Sequence, residues 1–470
     1  MEVFMQGFSD LVSSVNDFVW GPAMIILLVG TGIFLTFRLK FRPWKNLGFA
    51  LKHVFKGRKH TTGGEGDITP FQSLMTALSA TIGTGNIAGV ATAMVLGGPG
   101  ALVWMWISAL FGLTTKYAEC MLAVKYREKN SRGEMAGGPM YVMQNGFKHK
   151  GFGRFLGMLF AIFAVLASFG IGNMTQVDAI ASALNTTFGV EYWIVGIALV
   201  VLTAIVIIGG IQSIGKVSSI IVPVMAIVYV IGGLVVIIGN IGNLGTGIVQ
   251  IITNAFGKEM LTNMTGGFAG MMVAMRFGVA RGLFSNEAGL GSAPIAAAAG
   301  KTDYACRQGY ISMTGTFFDT IIVCTITGLA IACSGVLGIT DANGEFISGV
   351  NLTIHAFSTI FGDFGGIVIS VGITLFAYST ILGWSYYGEK SFEYITGTPK
   401  LNIIYRLVFC AVVFLGSLSG LQVAWNISEI FNGLMAIPNL ICLIVMSNII
   451  AKETKSFEDV IKREKRLKRA

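Results

Sequence analysis

Ser79-Ala-Thr81-Ile82-Gly83-Thr84-Gly85-Asn86-Ile-Ala-Gly89 and Phe284-Ser285-Asn286-Glu287-Ala-Gly289-Leu-Gly291-Ser292-Ala-Pro294 each set a G-x-G followed by a small polar residue inside a long apolar stretch. In a helix Gly costs roughly 1 kcal/mol against Ala, and Pro about 3, so both stretches favour an interruption. An interruption leaves N–H and C=O groups unpaired, and hydrocarbon cannot satisfy them. Such backbone persists in a membrane only where it is buried in protein or lines a hydrated cavity. The half-helix ends it creates are polar: N-terminal ends attract a carboxylate, while C-terminal ends and free carbonyls attract a cation or an ammonium group. A zwitterionic amino acid offers both charges.

The rest of the 470-residue chain supports a membrane setting. Its hydrophobic fraction is 53% and its charged fraction only 12%, with a mean hydropathy of +0.71. Soluble domains run nearer a quarter charged. Gly is abundant (62) and Pro scarce (9), which suits close helix packing. Apolar stretches able to cross about 30 Å of hydrocarbon lie near 19–38, 70–97, 100–127, 154–187, 191–210, 215–239, 266–299, 306–334, 363–394, 402–419 and 424–451. The sequence thus predicts an all-α polytopic protein of about eleven spans, one domain over 1–470, with a short loop helix near 350–361. The first eighteen residues hold Glu2, Asp10 and Asp17 but no Lys or Arg, so no signal peptide is expected.

The net charge of +9 does not point to nucleic acid, because the basic residues concentrate in alternate loops. Arg38 to Lys59, Lys125 to Arg154, Lys216, Lys301 with Arg307, Lys390 to Arg406 and the tail from Lys452 through Arg469 fall on one side. Glu191, Asp341, Glu345 and Asp363 fall on the other. The positive-inside rule places the N-terminus outside the cell and the C-terminus, with the tail over 452–470, in the cytoplasm; Lys462 to Arg469 in that tail reads as a mixed-charge helix at most. The six Cys show no C-x-x-C spacing, and the four His are scattered. They read as packing residues rather than a disulfide framework or a metal site.

A lone Gly85-x-x-x-Gly89 is also a helix-packing motif, but the broken pattern recurs five spans later. Spans two to six (70–239) and seven to eleven (266–451) then form matching five-helix halves. Five is odd, so the halves run in opposite directions, an inverted repeat with paired broken first helices. The stretch at 19–38 is an extra N-terminal helix. A nucleotide loop at Gly83 is excluded, since no strand precedes it and the third Gly is misplaced.

These segments resemble the hallmarks of the alanine or glycine:cation symporter family, in the APC superfamily with the LeuT-like fold. The resemblance rests on Gly83-Thr-Gly-Asn-Ile-Ala-Gly-Val-Ala-Thr-Ala93, on Asn286-Glu-Ala-Gly-Leu-Gly-Ser-Ala-Pro-Ile295 and on Gly172-Asn-Met-Thr-Gln176, and extends over nearly the whole chain. It implies inward symport of alanine or glycine with Na⁺ by alternating access. Substrate contacts are then expected at Thr81, Gly83, Gly85, Asn86, Gln176, Phe284, Ser285 and Asn286. The carboxylate would meet N–H groups near Gly83 and Gly85, and the ammonium would face carbonyls at 79–81 and 284–285. A Na⁺ ligand set is implied at Ser79, Ile82, Phe376, Ser379 and Thr380, the last three on one helical face of Phe376-Ala-Tyr-Ser379-Thr380. Trp384, one turn further, is a candidate lid that leaves room for hydrogen or methyl.

Charges inside spans are functional candidates by default: Asp178, Arg276, Arg281, Glu287 and Asp319. Arg281 and Glu287 flank the second break and form a candidate ion pair, while Lys116 and Glu119 suit a local one. Proton coupling is the alternative to Na⁺, although Ser379 and Thr380 supply no titratable carboxylate. A channel would need charged or carbonyl rings along a pore, and an enzyme a nucleophile–base pair or metal motif. Neither is visible in the sequence.

Overall fold

The computed structural model describes residues 2–56, 64–256, 268–418 and 422–467. Arg58, Lys59, Arg469, the first two positions of the 266–299 stretch and the last of 402–419 lie outside the described residues. Helices occupy every predicted apolar stretch. By length and composition seven described helices can cross a membrane, or eight when one bent pair counts as a single span. Tyr192–Ile208 is shorter, and Ala101–Lys125 and Phe268–Asn286 carry charged residues. The piece near 350–361 is the helix Gly349–Phe361.

Both Gly-rich stretches break their helices. The first broken span opens with Pro70 at its first turn and a reciprocal cap, in which Gln72 N–H donates to Thr69 Oγ1 and Thr69 N–H to Gln72 Oε1. The helix runs Pro70–Thr81, Ile82 leaves it at φ −78° and ψ 93°, and a wide turn over Gly85–Gly89 leads into Val90–Leu96. The two halves are bent by 53°. In the second broken span Phe268–Asn286 ends where Glu287, Gly289 and Gly291 take φ of 55°, 93° and 88°. Left-handed backbone suits Gly and strains Glu. Ala293–Ala299 resumes with Pro294 in its first turn.

Two further irregular turns were not expected from sequence. Gly170–Met174 interrupts the Lys150–Phe188 span, and Phe317–Cys324 interrupts Ala305–Ser334. Both are wider than an α-helix, a geometry that recurs at functional sites. Also beyond the sequence reading are the helices Glu2–Val19, Pro139–Gly146 and Ile241–Ala255, and a two-residue hairpin pairing Glu128–Lys129 with Met135–Ala136.

Small residues bring the elements together. A Cβ on Gly383 would stand 2.7 Å from Ala80 Cβ, so the Phe364–Thr396 helix lies directly against the first broken span. At the basic end, Lys301 N–H donates to Ile68 O and Asp67 N–H to Ala299 O, each at 2.8 Å. Arg127 donates to Ala298 O and Gly300 O at 2.7 Å and to Glu65 O at 2.5 Å. One guanidinium thus joins the entry to the first broken span with the exit from the second.

Candidate functional site

The two breaks meet around a buried carboxylate. Gly83 N–H donates to Asn86 Oδ1 at 3.0 Å, which closes the first break on itself. Asn86 Nδ2 donates to Asp319 Oδ1 at 2.7 Å. From the second break, Ser285 Oγ lies 3.1 and 3.0 Å from the two oxygens of Asp319. Thr320 Oγ1 adds a bond to Oδ2 at 2.7 Å. Asp319 has no exposed surface. It sits on the irregular turn Phe317–Cys324, and it is the point through which the first break, the second break and that helix are joined.

A cavity of about 20 Å³ lies between the breaks. Thr81, Gly83, Thr84 and Gly85 form one wall, and Phe284, Ser285 and Glu287 another. Ile171, within the irregular turn Gly170–Met174, and Gln176, just after it, face them, with Thr380 and Trp384 from the Phe364–Thr396 helix. A space of this size holds little more than a water molecule, so the walls must move apart around even a small solute. Two acceptors in this wall have no hydrogen-bond partner among the described residues: Gln176 Oε1 and Asn432 Oδ1. Both residues are buried. Buried acceptors left without a donor carry a cost of about 1–3 kcal/mol each, which a donor-rich solute group removes.

Most of the expected substrate residues therefore converge, with two differences. Asn86 and Asn286 stand behind the wall rather than in it. Asn286 Nδ2 donates to Thr320 Oγ1 at 3.0 Å, and its Oδ1 accepts from Ala288 N–H at 3.0 Å, so it supports the second break. The Gly83 N–H is likewise committed to Asn86. The reason is the accounting of interrupted backbone: side-chain amides satisfy the orphaned groups before any solute does.

The expected ion ligands form a neighbouring cluster. Ser379 Oγ lies 3.3 Å from Ser79 O and 2.9 Å from Phe376 O, and Thr380 Oγ1 lies 3.1 Å from Phe376 O. Ile82 is the extended residue at the end of the same half-helix. Thr380 belongs to both groups: a Cβ on Gly83 would stand 2.6 Å from its Oγ1. The oxygens are uncharged and hard, a donor set suited to an alkali cation rather than a transition metal.

Trp384 lines the cavity with its indole N–H donating to Glu287 Oε1 at 3.0 Å. The pairing of Arg281 with Glu287 is not found. Arg281 instead meets Glu429 at 3.4 Å and lies over the Phe284 ring at 5.6 Å. The left-handed turn at Glu287 carries its carboxylate back toward Ser292 and Trp384. Lys116 and Glu119 do pair, at 3.7 Å. Sequence reasoning missed Ile171, Glu287 and Asn432 as wall residues. Glu287 had a signal, an acidic residue within a Gly-rich break, whereas Asn432 is one polar residue in an ordinary apolar helix.

Toward the end away from the basic loops, a second cavity of about 90 Å³ shares Phe284 with the first. Its floor carries Arg281 and Glu429, and its roof comes from the N-terminal helix. There Asn16 Nδ2 donates to Glu429 Oε2 at 2.8 Å and Trp20 Nε1 to Glu429 O at 3.0 Å.

Comparison with known proteins places these features in a group. Residues 5–470 match the model of the sodium:alanine symporter family. The sodium/alanine symporter AgcS of Methanococcus maripaludis is 52% identical over 461 residues, covering 97% of this chain and 99% of that protein. The probable sodium/glutamine symporter GlnT of Bacillus subtilis is 35% identical over 454 residues, covering 96% and 91%. Among solved structures, MhsT in complex with L-phenylalanine superposes with a TM-score of 0.55 at 13% identity, over 83% of this chain and 99% of that one. The two share the LeuT-like fold.

Proposed function

This chain belongs to the sodium:alanine symporter family, and from that premise we propose that it carries alanine or glycine inward with Na⁺ through the cavity between its two breaks. Membership makes it a membrane-embedded, Na⁺-coupled amino-acid symporter and not an enzyme. The observation that carries the finer reading is the cavity itself. It is small, it is walled by interrupted backbone from two spans, and it exposes the unpaired acceptors Gln176 Oε1 and Asn432 Oδ1. An ammonium group supplies the donors these acceptors lack, together with carbonyls at 79–81 and 284–285. The substrate carboxylate meets the N–H groups of Thr84 and Gly85 at the start of the resumed helix.

Na⁺ takes the cluster formed by Ser79 O, Ile82, Phe376 O, Ser379 Oγ and Thr380 Oγ1. Because Thr380 touches both the cluster and the Gly83 wall, ion occupancy fixes the geometry the solute needs, and the solute in turn favours the occupied ion site. One inward Na⁺ contributes about 2.3 kcal/mol per 100 mV of membrane potential. We place the N-terminus outside and the C-terminus in the cytoplasm, and assign 70–239 and 266–451 as the two inverted halves.

Labelled alanine uptake into proteoliposomes under imposed Na⁺, Li⁺, K⁺ or pH gradients tests this reading. Uptake is expected under the Na⁺ gradient. Uptake driven by pH and indifferent to Na⁺ would transfer the coupling role to a proton.

A further inference from the structure

Glu287 combines three features that are each uncommon. It is a non-glycine residue in left-handed backbone, at φ 55°. Its side chain is a carboxylate only 4% exposed at the core of a membrane protein. The basic side chains of the region are engaged elsewhere, Lys116 with Glu119 and Arg281 with Glu429. Backbone strain and a buried charge both cost free energy, and such costs concentrate where geometry serves function.

The carboxylate spans the second break and then crosses to another helix. Oε2 accepts from Ser292 Oγ at 2.5 Å, at the foot of the resumed helix. Oε1 accepts from Trp384 Nε1 at 3.0 Å. The indole is held on two other sides as well. Gly172 lies so close that a Cβ there would stand 2.3 Å from Trp384 Cβ, and the Tyr387 ring meets the indole edge-on at 5.6 Å. Packing against Gly172 and Tyr387 limits where the indole sits, while the bond to Glu287 fixes its rotation about the remaining soft torsion. Trp384 forms the cavity wall next to Thr380, where a substrate side chain would lie.

We propose that Glu287 is the residue that sets the size limit for the substrate side chain, as a positioning residue acting through Trp384. The inference rests on the reading of the cavity as the amino-acid site. The hydrogen bond to the Glu287 carboxyl oxygen holds the indole across the space that a larger side chain would need. Without it the ring swings toward solvent-filled positions during opening, and valine or leucine gains entry. The same bond ties the wall to the second break, so the limit is restored each time that break returns to this geometry.

The test uses the full chain in proteoliposomes, with Na⁺-driven uptake of glycine, alanine, valine and leucine compared as ratios to alanine. Three changes separate the roles. Glu287→Leu removes the acceptor. Glu287→Gln keeps an acceptor for the indole and can bond Ser292 through its amide N–H. Replacing Trp384 with benzothienylalanine keeps the ring shape and removes only the N–H. Glu287→Leu and the benzothienyl replacement should each raise the leucine-to-alanine ratio about tenfold or more, the scale on which a pocket discriminates side chains. Combining the two should raise it no further, and Glu287→Gln should keep the wild-type ratio. An unchanged ratio with the benzothienyl replacement overturns the proposal even if Glu287→Leu does not fold. A ratio raised equally by Glu287→Gln and Glu287→Leu also overturns it, because the charge rather than the hold on the indole would then be the determinant. Wild-type protein that takes up no alanine under a Na⁺ gradient defeats the underlying reading instead.

Discussion

At Gly83 there is room for a hydrogen and nothing larger, because a Cβ would stand 2.6 Å from Thr380 Oγ1 and 3.5 Å from Gln176 Oε1. That close approach joins the oxygen cluster around Ser379 and Thr380, proposed above for Na⁺, to the cavity, and one methyl group there tests the link. Gly83→Ala should leave the amount of folded protein near wild type, since the displaced partner is a side-chain hydroxyl. It should lower Na⁺-driven alanine uptake at least tenfold and raise the Na⁺ concentration for half-maximal rate; an unchanged Na⁺ dependence would separate the two sites. Gly83 was legible in the sequence because Gly in mid-span needs a reason. Asn86 and Asn286 were legible as important, and in this structure both bond interrupted backbone rather than line the cavity. A short amide beside unpaired backbone bonds that backbone first, as the bonds to Gly83 N–H and Ala288 N–H show. Asn432 gave no signal, because its significance lies in what it faces and not in its neighbours along the chain.

The two breaks touch directly, a Cβ on Gly85 standing 3.4 Å from Ser285 Cα, and both also converge on Asp319. Asn86 from one break and Ser285 from the other both bond its carboxylate, so the half-helices are registered through a third helix. Asp319→Ala removes the carboxylate acceptor shared by the Asn86 amide and the Ser285 and Thr320 hydroxyls, leaving Asn86 the residue-319 carbonyl and Cys324 Sγ at 3.3 Å and Ser285 only Cys324 Sγ at 3.6 Å. At about 1–3 kcal/mol for each stranded buried donor, the variant should melt several degrees lower and lose uptake. Full uptake with an unshifted melting curve would remove Asp319 from the architecture. The two Gly-rich breaks could be read from composition. The turns at Gly170–Met174 and Phe317–Cys324 could not be read equally. The first has Gly170 and Gly172, but the second, Phe-Phe-Asp-Thr-Ile-Ile-Val-Cys, contains no residue that disfavours an α-helix enough to mark it. The bonds that Asn86 and Ser285 make to Asp319 on this turn are tertiary, and no local pattern encodes them. Ile241–Ala255 escaped notice because Gly242, Gly245 and Gly247 interrupt its apolar character.

Across the whole molecule the cavity is sealed more firmly at the basic end. Arg127 holds Ala298, Gly300 and Glu65 together, and Lys125 with Glu453, Arg42 with Glu458 and Arg307 with Glu464 bind the C-terminal helix Ser447–Leu467 across the same face. At the opposite end the barrier is thinner: Phe284, the Arg281–Glu429 pair and the N-terminal helix above them. Alternating access requires the first seal to open as the second closes. Arg127→Ala should therefore increase labelling, from the side of the basic loops, of a cysteine introduced at Thr81, at least severalfold over the same cysteine in the parent chain. Equal labelling would show that Arg127 does not hold that side shut. The membrane class, the positions of the spans and the pairing of the breaks were accessible from hydropathy and glycine placement. The seals were not, because they join residues far apart in sequence. Coupled transport through one site remains the claim on which these parts depend. Simultaneous measurement of ²²Na⁺ and labelled alanine entering the same proteoliposomes tests it most directly. Alanine should stimulate Na⁺ entry and Na⁺ should stimulate alanine entry, in a fixed ratio, and Gly83→Ala should depress both fluxes together. Entry of either that is indifferent to the other would contradict it.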